Sequence, residues 1–229
     1  MSKSNTVKAI TPKGELAWVN ITGEGKANMS GKQQYLASVV LDPKNKQADK
    51  DFIDSIDEFW ADNKPTFMGK RRAKSLGYSL CDPLRGEDGQ VVKDDEDKIK
   101  YDPDGRVSVK FATGIGFPDG SKKIVRIFNA KAKEVALGNV KIGNGSIGSI
   151  SGAMAVYEVK DNKGKALDAG VTLYLDAIQI FKLVEYSTDA GFTAAEDGDE
   201  DESWTGDEGF EGVADEPAAD KPKNAGPRL

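Results

Sequence analysis

The sequence predicts a mainly β protein: a small antiparallel barrel with one inserted helix and a disordered, acidic tail. Three observations predict it. Five to seven short runs of β-branched and aromatic residues are separated by turns rich in Gly, Asn and Asp. A 3.6-residue period is clear only near residue 55. From Thr193 to Leu229 the chain is dense in acids and too poor in apolar residues to offset the entropy of ordering it. The domain reading is therefore a core over 1–192 and a tail over 193–229. A β-sandwich is the alternative built from the same strands.

The elements follow in chain order. Glu15–Ile21 and Gln34–Leu41 read as strands joined by the Gly-rich turn GEGKANMSG. Asp42-Pro43 can start a helical turn, and Phe52, Ile56, Phe59 and Trp60 then share one helical face until Pro65 stops it. Residues 64–100 read as a long irregular connection without a repeat, basic at first (KPTFMGKRRAK) and acidic later (GEDGQVVKDDEDK). Arg106–Phe111 and Lys123–Phe128 are predicted to form a hairpin about the Pro-Asp-Gly turn. Glycines between 138 and 152 can serve as barrel corners. Ala153–Val159 and Val171–Val184 close the core.

Charge is divided unevenly. Of 38 acids and 32 bases, 12 and 3 lie from Thr193 onward, so the tail carries −9. The remaining 26 acids and 29 bases leave residues 1–192 at +3. A sequence pI near 5.0 and a mean hydropathy of −0.52 thus conceal a mildly basic core, able to hold a polyanion if its charge gathers on one face.

The composition excludes much chemistry. With no histidine and one cysteine, Cys81, there is no intrachain disulfide, no thiolate or imidazole zinc site and no histidine acid–base catalysis. The reading is non-enzymatic, with no cofactor and no metal. The N-terminus lacks an apolar signal core, and no apolar stretch approaches a membrane span, so an intracellular, soluble protein is expected. Consecutive acids Asp94, Asp95, Glu96 and Asp97 could serve a carboxylate–metal enzyme, although neighbours in a loop point apart.

Gly143-Asn144-Gly145-Ser146-Ile147-Gly148 matches G-x-G-x-x-G, but β-branched residues and Gly152 follow where a dinucleotide fold needs a helix. A bent strand or bulged turn is the better reading.

Three groups of residues could bind nucleic acid. Lys70, Arg71, Arg72 and Lys74, with Tyr78 beyond them, form a basic loop that can track phosphates or remain a solvated cluster. Alternation on the two hairpin strands puts Val107, Val109, Phe111, Val125 and Ile127 inward and Arg106, Lys110, Arg126 and Phe128 outward. Cations beside an exposed ring suit a single strand, the ring stacking a base at roughly 1–3 kcal/mol. Trp18, Tyr35 and Tyr157 lie on strands where either face is open to them, core or platform. Phe52, Phe59 and Trp60 are packing residues. In the tail, Trp204 and Phe210 stand among acids, where they can dock on partner proteins.

The helix end FWADNKP, the loop GKRRAK, the strand DPDGRVSVKFATGIG and the closing block GNGSIGSISGAMAVYEVKDNKGKALDAGVTLYLDAIQIFKLVEYS resemble the single-stranded DNA-binding proteins of tailed bacteriophages. That resemblance implies an OB-fold core and an acidic tail. It implies coating of single-stranded DNA in phage replication, recombination and repair, in the host cytoplasm. Partners implied are phage or host polymerase and other replication proteins, and a homodimer; a membrane is not among them. The acidic tail of such proteins usually finishes with an aromatic residue at or near its terminus, whereas this chain ends KPKNAGPRL, so docking is expected through Trp204 and Phe210. The alternative from another class is a β-barrel scaffold or virion component whose acidic tail binds a basic partner.

Overall fold

The computed structural model describes residues 6–186 apart from 29, 118 and 139. The acidic tail, Trp204, Phe210 and the boundary after residue 192 lie outside the described residues.

Among the described residues nine strands and one α-helix are formed: β1 (Val7–Ile10), β2 (Gly14–Asn20), β3 (Lys26–Ala27), β4 (Gln33–Leu41), α1 (Gln47–Asn63), β5 (Tyr78–Leu80), β6 (Val107–Gly114), β7 (Arg126–Phe128), β8 (Ser146–Lys160) and β9 (Ala166–Lys182). The fold is mainly β. The pairings run in a circuit, from β8 to β2, β4, β6, β9 and back to β8. Every step is antiparallel except β6 to β9, which is parallel through Ala112 and Tyr174. β1 extends the edge of β8 beyond β2, β3 adds to β4, and β5 adds to β6.

The expected hairpin between Arg106–Phe111 and Lys123–Phe128 does not form as a ladder. Its tip closes, with Phe117 N–H donating to Ser121 O at 2.8 Å and Gly116 bridging Lys122. β7 then runs parallel to β9 at Ala177–Gln179. The reason is edge occupancy: β4 covers one edge of β6 throughout, and β5 and β9 share the other. A strand can pair on only two sides, so β7 must find another partner.

The core follows the predicted alternation. Val107, Val109, Phe111, Val125 and Ile127 are buried with Leu16, Val39, Ile150, Leu173 and Ile178. α1 lays Phe52, Ile53, Ile56, Phe59 and Trp60 onto this core and touches β8 and β9. Burying Ile56 alone contributes roughly 1.5–3 kcal/mol. Its start is built by two aspartates. The buried Asp49 accepts from Asp42 N–H at 2.7 Å, and Asp42 O accepts from Lys46 N–H at 2.9 Å.

The register of β8 against β9 shifts at Ser151/Gly152. A Cβ on Gly152 would fall 1.8 Å from Tyr174 O, so the β9 backbone passes there only because the side chain is absent.

Among the described residues one turn recurs four times with Asn or Asp at its head, at 28–32, 94–98, 129–133 and 161–165. In each, the first residue's N–H donates to the fifth's carbonyl, and the fourth's N–H donates to the first's. The first residue is Asn or Asp, whose Oδ1 accepts from the third and fifth N–H groups at 2.8–3.1 Å. The fourth residue has positive φ: Gly31 at 76°, Asp97 at 61°, Ala132 at 56° and Gly164 at 80°. This is the bulged hairpin turn that Gly suits best.

The supposedly irregular connection contains a repeat after all. Eight-residue units 83–90, 91–98 and 99–106 each hold a tight turn. Leu84, Val92 and Lys100 occupy the same place in each unit and form a closed ring of backbone bonds. Leu84 N–H donates to Lys100 O, Lys100 N–H to Val92 O, and Val92 N–H to Leu84 O, all at 2.9 Å. Few identities recur at equivalent places (Asp-Gly at 88–89 and 104–105, Asp at 94 and 102), which is why the period escapes a reading of residue types.

Candidate nucleic-acid interface

A groove of about 900 Å³ lies outside the circuit of strands, lined by Trp18, Lys26, Gln34, Lys74, Lys110 and Tyr157 among others. A second cleft of about 420 Å³ shares Gln34, Ser38, Lys110 and Tyr157 with it and adds Tyr78. Each wall has a local cause. On β4, Tyr35, Ala37 and Val39 face the core, so Gln34 and Ser38 face the groove. Lys110 sits opposite Ser38 on β6, and Lys26 opposite Gln34 on β3. Lys74 N–H donates to Ala169 O and Val171 N–H to Ser75 O, both at 2.8 Å, which lays this basic segment along β9. Tyr157 pairs with Gly170, and a Cβ there would come within 2.8 Å of its ring, so the glycine makes room for the ring.

Trp18 owes its position to a β-bulge. Ala17 pairs with Ser38 but Asn20 with Leu36, so β2 carries one residue more than β4. Trp18 takes φ 54°, a conformation costly for a bulky side chain, and is 67% exposed in the groove. Its N–H, lost from the ladder, donates to Asn144 Oδ1 at 2.9 Å.

The electrostatics favour an anion. Among the described residues Lys26, Lys74 and Lys110 have no ion-pair partner. Burial pushes the Tyr157 phenol up, with Asp168 adding to the effect. Tyr78 is pushed up by burial and by its 2.8 Å hydrogen bond to Asp57. Both rings therefore stay neutral and protonated near neutral pH.

Other expected site residues lie elsewhere. Tyr35 is 5% exposed and donates its hydroxyl to Gly23 O at 3.1 Å, so it belongs to the core. Arg106 is taken up by Asp82, with Nη2–Oδ1 at 2.8 Å, and approaches Glu15 at 3.8 Å. Its backbone N–H also donates to Asp82, so the pair fastens the turn region to β6. Arg126 pairs with Glu134 at 3.3 Å and stacks over Phe128 at 4.8 Å, in a separate cleft of about 510 Å³. Arg71 donates to Leu167 O and Phe67 O, tying its loop to β9. Lys70 and Arg72 are exposed and line neither part of the groove. Tyr78 reaches the second cleft, but its hydroxyl is held by Asp57.

Lys26, Gln34, Asn144 and Tyr157 are the residues that sequence reasoning missed or set aside. The first stood in a Gly-rich turn, the third inside the G-x-G match. That match is indeed a bulged turn: Gly145 has φ 86°, and the strand β8 follows it. Among the described residues no group of acids and Cys81 could hold a metal ion, and no helix is long and apolar enough to cross a membrane.

No protein-family model matches the chain, and no curated protein does. Solved structures do, and among those similar to it are single-stranded DNA-binding proteins of bacteriophages. One is gp2.5, encoded by bacteriophage T7, with a TM-score of 0.49, 16% identity, and coverage of 88% of this chain and 97% of that one. Another is the protein from bacteriophage Enc34 in a C-terminal truncation, with a TM-score of 0.46, 15% identity, and coverage of 82% and 95%. A third is the Enc34 protein in complex with single-stranded DNA, with a TM-score of 0.42, 14% identity, and coverage of 78% and 88%.

Proposed function

We propose that this protein binds single-stranded DNA with little sequence preference, laying it along the groove between Trp18 and Tyr157. The circuit of strands is read as a five-stranded barrel of the OB type, whose outer face and flanking loops suit such a ligand. One observation carries the reading: two accessible aromatic rings share a groove with three lysines that have no carboxylate partner among the described residues. Rings stack bases whatever their identity, and lysines hold phosphates and release counterions.

Within this reading the protein is not an enzyme. It coats exposed strands during phage replication, recombination and repair, and the −9 tail competes with DNA for the basic groove. Trp204 and Phe210 offer docking points for replication proteins.

The test is titration of the full chain with oligo-dT of about thirty nucleotides at low salt, followed by tryptophan fluorescence and gel mobility. Binding that weakens steeply as salt rises is expected. A strand left unshifted by micromolar protein overturns the reading.

A further inference from the structure

We propose that Asn144 is a positioning residue for the groove: its side chain holds Trp18 in the left-handed conformation that turns the indole out of the strand and into the ligand's path. This rests on the single-strand reading above.

The bulge removes Trp18 N–H from the β2–β4 ladder, and a backbone donor without a partner would relax toward one. Asn144 Oδ1 supplies that partner from 126 positions away, at 2.9 Å. A tryptophan at φ 54° stays there only if its surroundings over-determine it.

Asn144 is itself built in place. Before it, Gly143 N–H donates to Val184 O at 2.7 Å, and a Cβ there would meet the backbone of 184–186 tightly, at 3.0–3.1 Å. After it, Gly145 N–H donates to Leu16 O at 3.2 Å. Ser146 Oγ accepts from Val184 N–H at 2.9 Å and donates to Gly143 O at 2.8 Å. The tight turn, which resembles a phosphate-cradling motif only in its letters, fixes an amide oxygen instead.

The experiment is a double-mutant cycle on the full chain with oligo-dT, comparing wild type, Trp18→Ala, Asn144→Ala and the double variant over a range of salt. Affinities extrapolated to about 1 M salt isolate the non-electrostatic part. Trp18→Ala is expected to weaken that part by roughly 5- to 150-fold, the loss of one stacked base. Asn144→Ala should reproduce most of that loss, the double variant should be no weaker than Trp18→Ala, and the salt slope should stay at the wild-type value. Asn144→Asp, which keeps the acceptor oxygen, should restore the extrapolated affinity and serves if Asn144→Ala folds poorly. Additive losses would mean that Asn144 touches DNA directly, and overturn the proposal. So would an Asn144→Ala affinity equal to wild type, or Asn144→Asp as weak as Asn144→Ala. If wild type fails to bind, or Trp18→Ala binds as wild type does, the single-strand reading itself falls.

Discussion

Lys110 and Arg106 stand four residues apart on the same side of one chain segment, yet belong to two different regions. Lys110 opens onto the groove without an ion-pair partner, whereas Arg106 is held by Asp82 and Glu15 at the edge of the three-turn unit. Two more cations of the turn unit are held in the same way: Lys93 pairs with Asp97 at 2.8 Å, and Lys98 pairs with Glu96. Positive charge is thus present in both regions, paired with carboxylates at Lys93, Lys98 and Arg106 and without an ion pair among the described residues at Lys26, Lys74 and Lys110. Strand phase decides which way a cation points. The carboxylates within reach decide whether it can serve a ligand.

The comparison breaks most visibly in salt dependence. Replacing Lys26, Lys74 and Lys110 together by Ala should lower the slope of log affinity against log salt by about 2, since each phosphate contact to a single strand contributes about 0.7. At 50 mM salt the affinity should fall by roughly two to three orders of magnitude. The matching triple variant of Arg106, Lys93 and Lys98 should leave the slope unchanged. Equal losses in the two variants, read by filter binding across salt, would erase the distinction between the regions.

The second effect is smaller and lies in stability. The Arg106 guanidinium, hydrogen-bonded to Asp82, holds that carboxyl below its ordinary range. A depressed folded-state value stabilises above the ordinary carboxylate range, and the contribution is lost as pH falls from that range through the lower folded-state value. Asp82→Asn should therefore lower the melting point at neutral pH by the equivalent of no more than about 1 kcal/mol, because the pair is solvent-screened. The gap from wild type should begin to narrow as pH falls below about 4 and close only below the depressed folded-state value, where the carboxyl is protonated in both folded and unfolded chains. A gap that persists in acid would assign the loss to packing.

The smallest effect concerns the recurrent turn. Ala132 occupies a left-handed position that Gly fills in two sister turns. Ala132→Gly should raise stability by about 0.5–1 kcal/mol in a denaturant melt, the strain relieved exceeding the entropy cost of glycine. DNA affinity should not move.

How much of this was legible in the sequence depends on whether the information is local. The helix face of Phe52, Ile56, Phe59 and Trp60 and the alternation of Val107, Val109 and Phe111 are local, and the structure follows them. So is the phase of β4: Gln34 and Ser38 point outward, which places Tyr35 inside, and a strict reading of alternation would have put it there. The parallel pairing of β7 with β9 is not local, because it depends on which edges of β6 are already taken. The fate of Arg106 turned on an aspartate 24 positions back. Trp18 was hidden for a further reason: a bulge resets the period of two on which any inward or outward assignment rests.

The ring of backbone bonds around Leu84, Val92 and Lys100 has an architectural consequence. Asp102 N–H donates to Asp82 O at 2.9 Å, so the chain leaves the three-turn unit beside the point where it enters. Everything between is closed on itself through Leu84, Val92 and Lys100. The unit is therefore a cassette: a short hairpin turn could replace it without moving the ends of β5 and β6, and longer versions could be accommodated on the same two anchor residues.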